Sequence, residues 1–95
     1  MIVKPFEWDE EKNTRLKRTR GISFEDVVFH IQNGDLLARL DHPGLKYAHQ
    51  EIFVVRIDDY AYAVPFVEDT KKYFLKTIIP NRKLTRDYLG GKEES

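Results

Sequence analysis

Hydrophobic and polar positions along the chain follow two periods, one typical of helices and one of strands. The clearest helical spacing, i, i+3, i+4 and i+7, joins four apolar residues into one buried stripe: Phe24, Val27, Val28 and Ile31. Ser23 and Asp26 form a capping box at the start of this helix, and Asn33-Gly34 ends it.

A helix is also predicted before this one. Asp9-Glu10-Glu11 supplies an N-cap and an acidic first turn, and the helix ends near Gly21. Because Leu16 is its one aliphatic anchor, we expect it to lie on the surface. Phe6-Glu7-Trp8 is typical of a short edge strand, since Pro5 limits its pairing.

The second half of the chain favours strands, three of which are predicted at Leu36–Leu40, Ile52–Ile57 and Tyr60–Val67. Asp58-Asp59 is the tight hairpin turn between the last two. Pro65 cannot donate a ladder hydrogen bond, so it indicates an edge, a bulge or the end of its strand. The stretch Asp41–Gln50, with Pro43-Gly44 inside, is the longest irregular loop.

A fourth strand is predicted over Tyr73–Ile79. Its alternation places two sets of side chains on opposite faces: Phe74, Lys76 and Ile78 on one, Tyr73, Leu75, Thr77 and Ile79 on the other. Pro80-Asn81 then opens a last helix, in which Leu84 and Tyr88 lie at i, i+4. We therefore expect an α+β fold in which two N-terminal helices and one C-terminal helix pack on an antiparallel four-stranded sheet. The sheet is expected with or without a short extra N-terminal strand.

The bulk composition narrows the class of protein. Ninety-five residues, 41% of them hydrophobic, fit one domain over residues 1–95. The absence of cysteine excludes disulfides, thiolate nucleophiles and cysteine-based zinc sites. No apolar run approaches the roughly 20 residues of a membrane span, and no signal-peptide core is present, so the cytoplasm is the expected location and a membrane is not an expected partner.

The net charge is zero, but the charges are segregated along the chain. Residues 12–20 hold five basic residues and no acid, and residues 71–86 hold six and no acid. A neutral chain can thus carry a polarised surface that attracts phosphate, although two solvated faces would explain the same pattern.

Motifs for several kinds of chemistry are missing. His30, His42 and His49 lack a metal-ligand spacing, so no metal site is predicted and no cofactor motif is found. Because His30 lies beside the apolar stripe, we interpret it as structural rather than catalytic. The Asp58-Asp59 and Glu68-Asp69 pairs are explained by turns.

What remains is a set of cations that could cleave RNA without a metal, the 2′-OH of the RNA being the nucleophile. Lys76 is the most informative position, since it interrupts an apolar strand just before Arg82, Lys83 and Arg86. The alternative is that Lys76 lies on an edge strand and only extends its charged group into solvent. Arg20 would join this group if the first helix packs across the same sheet face, and Tyr88 could orient a base or pack on Leu84.

Two segments resemble the BrnT family of toxins. Phe6-Glu7-Trp8-Asp9, with Lys12 and Arg20-Gly21-Ile22-Ser23-Phe24-Glu25-Asp26-Val27, is similar to that family's opening strand and helices. Residues Lys76–Tyr88 resemble its last strand and basic helix, and the stretch of about 35–70 matches only in strand pattern.

The resemblance implies a RelE-like fold and a metal-independent endoribonuclease toxin of a type II toxin–antitoxin system. It implies a cognate antitoxin with a DNA-binding domain as partner in a hetero-oligomer, and operator DNA contacted only through that antitoxin. By position, Arg82 and Arg86 match the family's basic helix, while Arg20 stands where the family usually has histidine.

Arg20 is a permanent cation and cannot do the acid–base work of a histidine. That work would then come from elsewhere, such as His49 in the loop before the second strand. We therefore predict the following catalytic residues: Arg82, Lys76, Arg86, His49 and Arg20. The predicted RNA-binding residues are Lys83, Lys17, Arg18 and Tyr88. The alternative is a non-catalytic module of the same fold that binds nucleic acid or docks an antitoxin.

Overall fold

The structure, a computed structural model, describes residues 4–42 and 50–90. In chain order, its elements are β1 (Phe6–Trp8), α1 (Glu10–Arg20), α2 (Phe24–Gln32), β2 (Leu36–Asp41), β3 (Glu51–Ile57), β4 (Tyr60–Glu68), β5 (Tyr73–Leu75), β6 (Ile79–Pro80) and α3 (Arg82–Leu89). The fold is α+β, as expected. Most of the predicted loop Asp41–Gln50 lies outside the described residues, and Asp41 itself ends β2.

The two N-terminal helices begin and end where the sequence predicts. Asp9 accepts a hydrogen bond from the Glu11 N–H, and Gly21 closes α1 in the left-handed region at φ 69°. Ser23 and Asp26 form the reciprocal capping box of α2. None of the helices in the described ranges is long and apolar enough to span a membrane.

The β3–β4 hairpin also agrees with its prediction. Asp58 and Asp59 both have positive φ, 54° and 63°, as a two-residue type I′ turn requires. The register of the hairpin pairs Phe53 with Val64 and Val55 with Tyr62, so these side chains share one face of the sheet.

The sheet order is β1-β5-β4-β3-β2, with β6 also paired to β4. Among the described strands β1–β5 is parallel and the other pairs are antiparallel, so the sheet is mixed and has six strands, where the sequence predicted an antiparallel four-stranded sheet with or without a short N-terminal strand. The side chains of β1 explain its position: Phe6 lies 5.4 Å from the Tyr73 ring, and Trp8 stacks 5.6 Å from Phe24 under α2. Burying both rings places β1 beside β5.

The single strand predicted over Tyr73–Ile79 is split, because residues 76–78 separate β5 from β6. Pro65 faces this break: its carbonyl accepts a hydrogen bond from the Lys76 N–H at 2.8 Å, and on the same side it has no N–H to donate. Pro65 therefore lies inside β4, and not at an edge, a bulge or a strand end. The predicted alternation fails at this break, because Ile78 is buried in the same core as Tyr73 and Leu75, which were predicted to lie on the opposite face.

The main core lies between one sheet face and the two N-terminal helices. Its members are the apolar side chains Leu16, Ile22, Phe24, Val27, Ile31, Phe53, Val55, Ile57, Val64, Phe66, Tyr73, Leu75 and Ile78. On the opposite face Val54, Ala61 and Ala63 are also buried, and α3 packs against β4 there. The sheet is thus covered by α2 on one side and by α3 on the other.

Candidate functional site

The basic end of α1 lies against the edge of the sheet. The Arg20 guanidinium donates a hydrogen bond from Nη1 to the Ile78 carbonyl at 3.1 Å. Ile78 belongs to the short segment between Lys76 and Arg82, so Arg20 joins the C-terminal basic segment despite being 58 residues away in sequence. The condition that the sequence set for Arg20 is not met in full, because α1 packs on the core face of the sheet and the basic helix α3 packs on the opposite face.

Lys76 is exposed in the break between β5 and β6. Its Nζ lies 5.3 Å from the centroid of the Phe74 ring, a cation–π contact. Phe74 points away from Tyr73 and Leu75, which are in the main core, so the Lys76 ammonium is on the face that carries α3. Arg20, in contrast, reaches the same segment from α1.

The basic helix α3 is anchored to β4 by its first turn. Asn81 caps it, with Oδ1 accepting from the Leu84 N–H at 2.8 Å. The Asn81 N–H donates to the Ala61 carbonyl, and the Ala61 N–H donates to Thr85 Oγ1 at 2.9 Å. Asn81 and Thr85 therefore face the sheet.

The anchoring of α3 leaves its charged side chains in solvent. Lys83 pairs with Asp87 at 2.9 Å, and Tyr88 is 41% exposed. Arg82 and Arg86 are exposed and lie one turn apart, and neither forms a salt bridge within the described ranges. Two arginines in this relation can contact successive phosphates of a nucleic-acid strand.

The structure does not bring all the predicted residues together. Lys17 is 3.8 Å from Glu25 on α2, and Arg18 lines a hollow of about 420 Å³ on the outer side of α1 with Glu10, Glu11, Thr14 and Arg15. Neither contacts the segment from Lys76 to Arg82. His49, the predicted source of acid–base chemistry, lies outside the described residues.

A group that the sequence did not predict lies at the hairpin end of the sheet. His30, at the end of α2, makes a 2.8 Å hydrogen bond from Nδ1 to Oδ2 of Asp35, whose other oxygen is 3.2 Å from Nη2 of Arg56. The bond from His30, reinforced by Arg56, holds the pKa of the Asp35 carboxyl below its ordinary value. The signal in the sequence is weak, because Asp35 follows Asn33-Gly34 and is explained equally well as part of a turn.

A second ionic cluster caps the core at the other end of the sheet. Arg39 binds Glu51 through two nitrogens and Glu68 at 2.6 Å, and its guanidinium lies 5.1 Å from the Phe66 ring. Lys4 pairs with the same Glu68. The hydrogen bonds that Arg39 donates to Glu51 and Glu68 raise the pKa of Arg39. With two carboxylates already on it, Arg39 is a structural cation rather than an anion site.

Within residues 4–42 and 50–90, no three His, Asp or Glu side chains are grouped as ligands for a metal ion. Comparison with family models, curated proteins and solved structures gave no match. The resemblance to BrnT toxins therefore stays a prediction that depends on the segments quoted above.

Proposed function

We propose that this chain is a cytoplasmic endoribonuclease toxin that cleaves RNA without a metal ion. The observation that carries the proposal is the hydrogen bond from Arg20 to the Ile78 carbonyl, 3.1 Å long. It joins the basic end of α1 to the segment that runs from Lys76 into α3. Arg20 approaches this segment from the face that carries α1, and Lys76 and α3 lie on the opposite face, so an RNA strand that passes over this edge of the sheet would contact both sets of cations.

The reaction needs no group beyond the RNA, water and protein side chains. The 2′-oxygen loses its proton and bonds to the adjacent phosphorus, the P–O5′ bond breaks, and the departing 5′-oxygen takes up a proton. The products are a 2′,3′-cyclic phosphate and a 5′-hydroxyl. In this scheme Arg82, Arg86 and Lys76 stabilise the negative charge that builds on the phosphorane, and Lys83 holds a flanking phosphate.

The test is cleavage of a defined RNA by the purified chain with a chelator present. We expect products with 2′,3′-cyclic phosphate ends, and we expect Arg82→Ala to lower the rate by about 10²–10³ without loss of fold. Lys71→Ala is the matched control, because Lys71 is an exposed cation in the β4–β5 turn, away from α3. Intact RNA at large protein excess would overturn the proposal.

A non-catalytic module that binds nucleic acid or an antitoxin is the second candidate. The placement of Lys76 and Arg20 favours it, since the two reach their common segment from different sides of the sheet. It predicts salt-dependent binding with no cleavage, weakened additively by each Lys or Arg substitution.

The partner of the proposed toxin is a cognate antitoxin that forms a hetero-oligomer with it and carries the DNA-binding domain. Expression in cells tests this part directly. Growth arrest that a neighbouring open reading frame relieves supports a toxin–antitoxin pair. Growth that is unaffected by expression of the chain contradicts a toxin–antitoxin pair.

A further inference from the structure

The His30–Asp35 pair has the arrangement that general-base catalysis requires. A carboxylate can only accept hydrogen bonds, so in the neutral ring the proton between His30 and Asp35 belongs to Nδ1, and Nε2 carries the lone pair. The contact is rigid as well, since the Asp35 N–H also donates to the His30 carbonyl at 2.9 Å. The pair therefore fixes both the tautomer and the orientation of the ring.

The free nitrogen of His30 is accessible. No hydrogen bond joins Nε2 to any described residue, and no buried side-chain nitrogen or oxygen in the described ranges lacks a partner. Nε2 must therefore reach the surface, although the side chain is only 24% exposed. A histidine with only a structural role does not require a solvent-accessible Nε2 that carries a lone pair.

An aromatic ring suited to a nucleobase lies next to it. Phe29 is 60% exposed, and its ring meets the His30 ring edge-to-face at 5.4 Å. Exposed aromatic rings of this kind stack on unpaired bases and so stabilise the bound strand. Arg56, whose side chain is 47% exposed, supplies a cation at the same place.

A row of backbone pairs connects Asp35 with the basic helix across the sheet. The Arg56 N–H donates to the Asp35 carbonyl, Arg56 pairs with Ala61 across β3 and β4, and Ala61 binds Thr85 of α3. These residues form one row across the sheet, in which Asp35 and Ala61 are two strand spacings apart, roughly 10 Å. An RNA strand that has its reacting phosphate at His30 and Arg56 can therefore extend to α3, where Arg82 and Arg86 hold phosphates further along the strand.

We propose that His30 is the general base of the reaction and that Asp35 is its positioning residue, an inference that rests on the proposed endoribonuclease activity. Nε2 takes the proton of the 2′-OH as the 2′-oxygen bonds to phosphorus. The P–O5′ bond breaks, and the 5′-oxygen takes its proton from water. Asp35 stabilises the imidazolium that forms, Arg56 holds Asp35 and faces the phosphate, and Phe29 stacks on the neighbouring base.

The experiment measures cleavage by the full chain and by His30→Ala, with imidazole added to both. We expect His30→Ala to lower the rate by about 10²–10⁴ and imidazole to restore part of it in proportion to its concentration. His30→Gln, which keeps a side chain able to bond Asp35, tests the same loss if the alanine variant folds poorly. Gln32→Ala, an exposed change on the same helix, is the control and keeps full activity.

The role of Asp35 is tested by Asp35→Asn. We expect a fall in kcat of up to about 10⁴-fold with little change in KM, because the histidine tautomer is lost while RNA binding is kept. If Asp35 has a purely structural role, Asp35→Asn changes the folding stability but does not lower kcat while leaving KM unchanged.

The outcomes separate the two proposals. If the unaltered chain cleaves no RNA, the proposed function fails. If it cleaves, and both His30 variants keep their rate within about threefold, or imidazole restores nothing, His30 is not the base and the endoribonuclease proposal stands without it.

Discussion

Replacing Asn13 with alanine should destabilise the fold far more than its place on a charged surface helix implies. Asn13 is fully buried and joins α1 to α2. Its Oδ1 accepts the Phe24 N–H at 2.8 Å, and its Nδ2 donates to Glu25 at 2.8 Å. The first bond satisfies a donor at the start of α2 that the helix itself cannot satisfy.

The magnitude follows from these two bonds. Leaving the buried Phe24 N–H without a partner costs about 1–3 kcal/mol, and the bond to the half-exposed Glu25 adds about 0.5 kcal/mol. We therefore expect Asn13→Ala to lower the free energy of unfolding by about 1.5–3.5 kcal/mol, out of a total of about 5–15 kcal/mol for a small domain. The midpoint of thermal unfolding should fall by roughly 6–28 °C.

Urea denaturation measures this loss, and Thr14→Ala is its control. Thr14 is the exposed neighbour on α1, so its change should stay within about 0.5 kcal/mol. The hydrogen bond from Asn13 is also the main cause of the lowered pKa of Glu25, so that pKa should rise toward its ordinary value in the variant. A loss below about 0.5 kcal/mol for Asn13→Ala would refute the assigned role.

Two further predictions concern turns. Asp59→Gly should raise the free energy of unfolding by about 0.5–1 kcal/mol, because Asp59 has φ 63° and glycine adopts that conformation without strain; a lower urea midpoint would contradict this. The backbone N–H of Lys71 and the side chain and backbone N–H of Lys72 lower the pKa of Asp69 to about 2. Its contribution to stability is therefore complete above about pH 4 and is lost as the pH falls through 2. The difference in urea midpoint between the unaltered chain and Asp69→Asn should shrink as the pH falls from 6 to 2. A constant difference would show that Asp69 is not the source of this pH-dependent stability.

Local signals in the sequence were sufficient for the helix ends and the hairpin. The caps at Asp9 and Ser23 and the turn at Asp58-Asp59 depend on residues within four positions of one another, so their chemistry is visible without the fold. The pairing of β1 with β5 is different, because it depends on which core the rings of Phe6 and Trp8 enter.

The candidate site was predicted only in part. Basic residues are recognisable one by one, so Arg20, Lys76 and Arg82 could be proposed from the sequence. Whether His30 is structural or reactive depends on which group forms a hydrogen bond with its Nδ1. That group is Asp35, which comes next to His30 only because the chain turns at Asn33-Gly34. The break at residues 76–78 was missed because it arises from the missing N–H of Pro65, which lies on the neighbouring strand.

The parallel pairing of β1 with β5 has a consequence for synthesis. During translation β1 leaves the ribosome some 65 residues ahead of the strand that it must join, so it has no partner until Tyr73–Leu75 has emerged. Closing so long a loop makes this a late step in folding. A nascent or truncated chain that lacks the C-terminal quarter would keep Phe6 and Trp8 exposed to chaperones and proteases, which would remove incomplete molecules before their basic surface is assembled.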